Sequence, residues 1–189
     1  LPFSISEANG EPAGYTIDLC KRAIAQIGRA VGEGNLKVNW IAGSVSERLQ
    51  MVAAGRADLE CANTTPTQSR LATVDFSNLI FVDSGGLLVK TGTPINATSD
   101  LTGKRVAVLK GTTTETRLNE ALRRRLINAS VVTIANATEG IAMLESGSAD
   151  AYAGDKIKLV GLMATAKDPR QFALLAEDVV YQNVPFPAD

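Results

Sequence analysis

The sequence has no histidine in its 189 residues. That absence removes the commonest general base, the Ser-His-Asp and Cys-His nucleophile pairs, and most zinc sites. Cysteine is scarce as well. Cys20 and Cys61 form neither a CxxC nor a metal cluster. They could pair in an oxidising compartment, but the plainer expectation is two small buried hydrophobes, one on a helix and one ending an apolar strand. No apolar run approaches the roughly 20 residues of a bilayer-spanning helix. Charge of either sign is not in excess: the net value is −1, which leaves no electrostatic footprint for nucleic acid or an anionic membrane. The opening Leu1-Pro2-Phe3 carries no initiator Met and no signal-peptide pattern. With the Pro-containing close Val184-Pro185-Phe186-Pro187, it reads as a processed or trimmed piece.

What is present suits a globular chain long enough for one domain or two small lobes. Residues 15 to 30 place Ile17, Cys20, Ile24 and Ile27 at spacings of three and four, which predicts an amphipathic helix. Leu36, Val38 and Trp40 alternate with polar residues and predict a half-buried strand over 36–41. Ser44 and Glu47 have capping-box spacing and open a helix that stops before Gly55. Residues 57–61 read as a short strand, and a double glycine at 85–86 opens a crossover segment over 85–90. The pattern then restarts: strand 105–109, helix 113–126 with Leu118, Leu122 and Leu126 on one stripe, strand 131–134, helix 138–146, strand 149–153, helix 155–165 and strand 172–175. The basic run 123–125 suits a solvated face near a helix C-terminus. Alternation of this kind predicts an α/β protein with parallel sheets covered by helices, and the restart predicts two lobes.

Ligands in such folds bind beyond the carboxyl ends of strands, and three loops stand there. The first, residues 61–70, offers Asn63, Thr64 and Thr65, then Arg70, the side chain best suited to grip a planar carboxylate. A polar turn with a surface arginine has the same composition. The second, 110–115, has a glycine for a tight turn and Thr112 or Thr113 to cap a helix whose free N–H groups would face an anion. It is no phosphate loop, because GxxxxGK[ST] is absent. The third, 151–155, ends in Asp155, which could hold an ammonium group or cap the next helix. A carboxylate grip, helix-end donors and a counter-charge for an ammonium are together the demands of an α-amino-acid zwitterion.

At this point the chain resembles a known family. The resemblance rests on Gly14-Tyr15-Thr16-Ile17-Asp18-Leu19-Cys20, Arg56-Ala57-Asp58-Leu59-Glu60-Cys61, Thr64-Thr65 with Arg70, and Val74-Asp75-Phe76-Ser77. It continues through residues 100–108, Gly111-Thr112-Thr113 and residues 144–151. The chain is similar to the amino-acid-binding proteins of ABC importers, the family 3 solute-binding proteins, and looks nearest to the glutamate/aspartate-type branch. The resemblance implies a two-lobed periplasmic-binding-protein type II fold, each lobe a mostly parallel sheet flanked by helices, with two crossover strands between them. Lobe one would be residues 1–86, lobe two 87–182, and 183–189 the start of a return crossover.

The same resemblance assigns the ligand's α-carboxylate to Arg70, further donors to Thr113 and Thr112, the α-ammonium to Asp155, and carbonyl or hydroxyl contacts to Asn63 and Thr65. The family more often has a small hydroxyl residue where this chain has Asn63. Binders of acidic amino acids tend to carry a histidine where this chain runs Asn136-Ala137-Thr138. The implied protein is a monomeric, periplasmic or membrane-tethered binder with no cofactor, no metal and no catalysis of its own. Its clamp closes on a free amino acid and presents it to an ABC permease. Two rivals share the fold: a cyclohexadienyl dehydratase-like enzyme, for which no spaced carboxylate pair is evident, and a ligand-sensing input domain of a receptor.

Overall fold

Apolar residues two apart on strands and three or four apart on helices organise the second half of the chain into one layered unit. In the computed structural model, which describes residues 2–178, the chain divides into two compact units, Leu1–Asn78 and Leu79–Asp189. The expected return segment at 183–189 lies outside the described residues, as do residues 179–182 at the expected end of lobe two.

The second unit is built on five strands: β3 (Gly85–Lys90), β4 (Arg105–Leu109), β5 (Ser130–Ile134), β6 (Ala151–Asp155) and β7 (Phe172–Leu174), in the order β5-β4-β6-β3-β7. β4 pairs in parallel with β5 and β6, whereas β3 runs antiparallel to both β6 and β7. The segment expected to be a crossover is therefore a middle strand, and the sheet is mixed. Its double glycine begins the strand, with Gly85 opposite Asp155 and Gly86 opposite Gly154.

Strand alternation sends side chains to two faces. Leu87, Val89, Val106 and Val108 meet Leu118 and Leu122 of α4 (Thr113–Arg124) on one. Leu88, Ala107 and Tyr152 meet Ile141 and Leu144 of α5 (Ala137–Ser146) and Leu159 and Leu162 of α6 (Lys156–Met163) on the other. A Cβ on Gly140 would fall 2.5 Å from the Tyr152 ring, so only glycine lets α5 lie this close to β6.

The α4 helix ends two residues earlier than its leucine stripe predicts. Leu126 adopts a left-handed backbone (φ +56°) and is 92% exposed. The turn is a Schellman motif: Ile127 N–H donates to Leu122 O at 2.9 Å and Leu126 N–H to Arg123 O at 3.2 Å. Ile127 then packs against the same cluster as Leu122, which is the apolar contact that normally accompanies this turn.

The first unit is built differently. A hairpin of β1 (Ile5–Ser6) and β2 (Pro12–Ala13) leads into α1 (Tyr15–Ala30). Two N–H groups of the first turn of α1 are satisfied by the hairpin's entry, Tyr15 N donating to Pro2 O and Thr16 N to Phe3 O, each at 3.0 Å. Gly14 permits this approach at φ +120°, and a Cβ there would sit 2.5 Å from Phe3 O. α2 (Val45–Ala53) opens on the expected capping box: Ser44 N donates to Glu47 Oε2 at 2.8 Å and Glu47 N to Ser44 Oγ at 3.4 Å. The Ser44 hydroxyl, which also donates to Glu47 Oε2 at 2.6 Å, and then the Ser44 amide hold the Glu47 carboxyl below its ordinary range.

Neither expected strand of this unit forms among the described residues, so no parallel sheet stands there. Alternation can make a segment extended, but a strand also needs a neighbour to accept its ladder of hydrogen bonds. Among the described residues Leu36, Val38, Ile41 and Leu59 remain exposed. The buried hydrophobics of the unit are Phe3, Ile17 and Val74 among the described residues. With few fully buried side chains, the elements of this unit are also joined by crosslinks.

One such crosslink is covalent. Cys20 and Cys61 are joined by a disulfide with Cα atoms 6.0 Å apart, not buried separately as expected. Residue 61 lies outside any strand, and its sulfur bonds to α1 instead of entering a core.

Candidate functional site

In the first unit the 61–70 loop ends on a single helical turn, α3 (Gln68–Leu71), capped by Thr67, whose Oγ1 accepts from Arg70 N at 3.3 Å. Arg70 folds back over its own loop, Nη1 donating to the carbonyl of Thr65 at 2.8 Å. Its guanidinium is partly buried. Burial lowers its pKa from the ordinary value, Glu60 opposes that shift, and the like charge of Arg48 adds to it.

Glu60 was not anticipated as a site residue. Its Oε1 accepts from Arg48 Nε at 2.7 Å and from Thr64 Oγ1 at 2.6 Å. Arg48 Nη1 also donates to Gly43 O at 2.8 Å. Arg48 of α2 is thereby tied to the loop through Glu60. Arg70 and Thr65 are thus in direct contact, while Asn63 is a half-buried residue two positions before Thr65.

In the second unit Thr112 caps α4. Its Oγ1 accepts from Glu115 N at 3.2 Å and donates to Leu109 O at 2.7 Å. Glu115 Oε2 reaches back to accept from Gly111 N at 2.6 Å, so one amide of this loop is engaged by a carboxylate. Thr113 is the first residue of α4 and is half-buried.

Asp155 ends β6 at the N-cap position of α6, yet its side chain makes no cap bond. One oxygen accepts from Thr114 Oγ1 at 3.4 Å and the other lies 3.1 Å from Lys158 Nζ. Thr112, Thr114, Tyr152, Gly154, Asp155 and Lys158 line one concavity of this unit. Burial pushes the Tyr152 phenol well above its ordinary pKa, and the Asp155 charge pushes it further.

Sequence reading missed Thr114, Lys158 and Glu60. The three-residue step from Asp155 to Lys158 on a helix was a usable signal. Nothing local marks Thr114, whose partner lies 41 residues away.

The chemistry assembled is complementary but divided. The first unit carries a partly desolvated guanidinium with a hydroxyl-rich loop. The second carries a carboxylate beside a capped helix N-terminus. Among the described residues no group of three or more His, Cys, Asp or Glu could hold a metal ion, and no helix is long and apolar enough to cross a membrane.

Comparison with known proteins gives a consistent picture. An L-glutamate/L-aspartate-binding protein of Pseudomonas aeruginosa is 34% identical over 170 residues, 89% of this chain and 56% of that protein. A glutamate/aspartate import solute-binding protein of Escherichia coli is 29% identical over 177 residues, 94% of this chain and 59% of that protein. The chain thus spans somewhat more than half the length of these curated relatives.

Among solved structures, an ABC transporter periplasmic binding protein from Brucella ovis with glutathione bound superposes with a TM-score of 0.83 at 28% identity, covering 95% of this chain and 56% of that one. An ancestral arginine-binding protein bound to arginine gives 0.78 at 27% identity, covering 92% and 73%. The architecture is therefore the two-lobed periplasmic-binding-protein fold. Residues 1–136 match the family described as bacterial extracellular solute-binding proteins, family 3, and the chain belongs to that family.

Proposed function

We propose that this chain captures a free amino acid outside the cytoplasm, in the periplasm, and delivers it to an ABC permease. The observation that carries the reading is the pairing of opposite demands in the two units: Arg70, partly buried beside Thr65, and Asp155, held by Thr114 next to the α4 N-terminus. A zwitterion taken from water is costly unless both charges are met. Arg70 meets the carboxylate, with Thr112 and Thr113 adding donors. Asp155 meets the ammonium, and Asn63 and Thr65 supply polar contacts. Because the two charges stand on separate units, the reading requires one ligand molecule to engage both. Binding energy then favours the state in which both units hold it, and that state is what the permease reads.

The names of relatives support the ligand class. They include glutamate/aspartate binders and a general L-amino-acid-binding periplasmic protein of Rhizobium johnstonii. The test is a thermal-shift panel of the twenty L-amino acids on the purified protein. A ligand at about 1,000 times its dissociation constant adds roughly 4 kcal/mol, which is a shift of several degrees. One or a few hits is the expected result. A flat panel contradicts the reading.

A further inference from the structure

We propose that the Cys20–Cys61 disulfide is a redox-sensitive anchor for residues 57–67, and that ligand capture weakens when it is reduced. The affinity half of this proposal rests on reading the Arg70 loop as the ligand loop; the anchoring half does not.

The argument begins with what holds the loop. Residues 57–67 carry no helix and no strand, so no ladder fixes their backbone. Ala57 N donates to Met51 O of α2 at the start of the segment, and two adjacent residues fasten its middle, each to a different helix. Glu60 is tied to Arg48 of α2 at 2.7 Å, and Cys61 is bonded to Cys20 of α1.

From these two points the contacts run straight to the candidate site. The Glu60 oxygen that takes Arg48 also takes Thr64 Oγ1 at 2.6 Å, and the next residue, Thr65, gives its carbonyl to Arg70 at 2.8 Å. Displacing residue 60 or 61 therefore displaces the group that orients the guanidinium. An ion pair with some access to water is a weak tether by itself. The covalent link, which closes a loop of 41 residues, is the stronger of the two.

Reduction by a dithiol breaks the S–S bond with two electrons and two protons. Each cysteine sulfur leaves as a thiol, and the dithiol closes into its own disulfide. What remains is a loop tethered at one side. A ligand must then order that loop at the moment of binding, and affinity falls by the cost of doing so.

The test compares three forms: the oxidised protein, the same protein reduced with dithiothreitol and confirmed as a dithiol by mass, and the Cys20→Ala/Cys61→Ala double variant. Backbone hydrogen exchange is read over 57–67, over α1 and α2, and over β4 and β6 as an internal control of folding. Calorimetry with whichever amino acid the panel identifies follows on all three forms.

The expected result is faster exchange confined to 57–67 in both open forms, with affinity about tenfold weaker. Unchanged exchange over 57–67 overturns the proposal whether or not any ligand is found. So does exchange that rises equally across α1 and α2, which marks a general staple of the unit. Equal affinity in oxidised and reduced protein overturns the coupling to capture. If the oxidised protein binds no amino acid, the proposed function fails and the affinity half falls with it, while exchange still decides whether the disulfide anchors the loop.

Discussion

Thr114 donates its hydroxyl to Asp155 across 3.4 Å, joining the first turn of α4 to the end of β6. Thr114 is 4% exposed, so this bond is shielded from water and orients the carboxylate proposed to meet an ammonium group. Thr114→Val keeps the shape and removes the donor. The expected outcome is several-fold weaker amino-acid binding, from the loss of about 0.5–1.5 kcal/mol, with thermal stability close to the parent. Calorimetry on parent and variant checks it. Unchanged affinity would show that Asp155 needs no such support.

Arg70 carries the heavier load. Arg70→Ala leaves the ligand carboxylate buried without its partner, and a loss of roughly 3–5 kcal/mol follows, beyond a hundredfold in affinity. Arg70→Lys keeps the charge but not the two parallel donors, so it recovers only part of the loss. Affinity within tenfold of the parent for the alanine variant removes Arg70 from the site.

The Arg105–Asp150 pair gives the second unit a pH dependence of known sign. Asp150 accepts from Arg105 Nε and Nη2, each at 3.2 Å, and from the Arg105 amide at 2.7 Å. The side-chain bonds come first in holding its carboxyl below the ordinary range, with Lys104 adding a small pull and burial opposing. A depressed carboxylate pKa contributes stability that is present above the unfolded value, near 3.9, and is lost as pH falls through the folded value. Urea unfolding between pH 7 and pH 2.5 is therefore expected to show a decline below about pH 4. Asp150→Asn starts less stable and has a shallower acid limb. An identical acid limb in the variant contradicts the assignment.

Leu126 is a position where substitution stabilises. A non-glycine residue in the left-handed region costs roughly 1–2 kcal/mol, and at 92% exposure the leucine recovers little of that by burial. Leu126→Gly relieves the strain against an unfolded-state penalty of about 0.5–1 kcal/mol. The net expectation is a gain of up to about 1 kcal/mol, measurable by denaturant midpoint at unchanged slope. A loss would show that Leu126 is held by something other than the Schellman turn.

The parts of the fold legible in the sequence were those governed by local periods and caps. α1 occupies residues 15–30 as its apolar spacing predicts, and β4 spans the expected five residues. The Ser44 capping box and the Thr112 cap form where their spacing places them. What local pattern could not reveal was pairing at a distance. Gly85–Lys90 reads as a crossover segment, and its place between β6 and β7 depends on residues more than 60 positions later. The 36–41 alternation was real, but no neighbour among the described residues completes a ladder. Cys20 shares a stripe with Ile17 and Ile24, so helical spacing alone made it a core residue. Glu60, Thr114 and Lys158 act through contacts on other elements or later turns, while Thr112 and Asp155 stood out because each stands between a strand and a helix, and Arg70 because an arginine after a run of hydroxyl and amide side chains suits a carboxylate.

The most direct test of the two-charge reading is calorimetry on one panel hit in three chemical forms: the free amino acid, its α-carboxamide and its N-acetyl derivative. The carboxamide lacks the charge assigned to Arg70, and the N-acetyl form lacks the charge assigned to Asp155. The account predicts tight binding of the free amino acid and a loss beyond a hundredfold for each derivative, roughly 3 kcal/mol or more apiece. Binding of either derivative within tenfold of the free amino acid would contradict it.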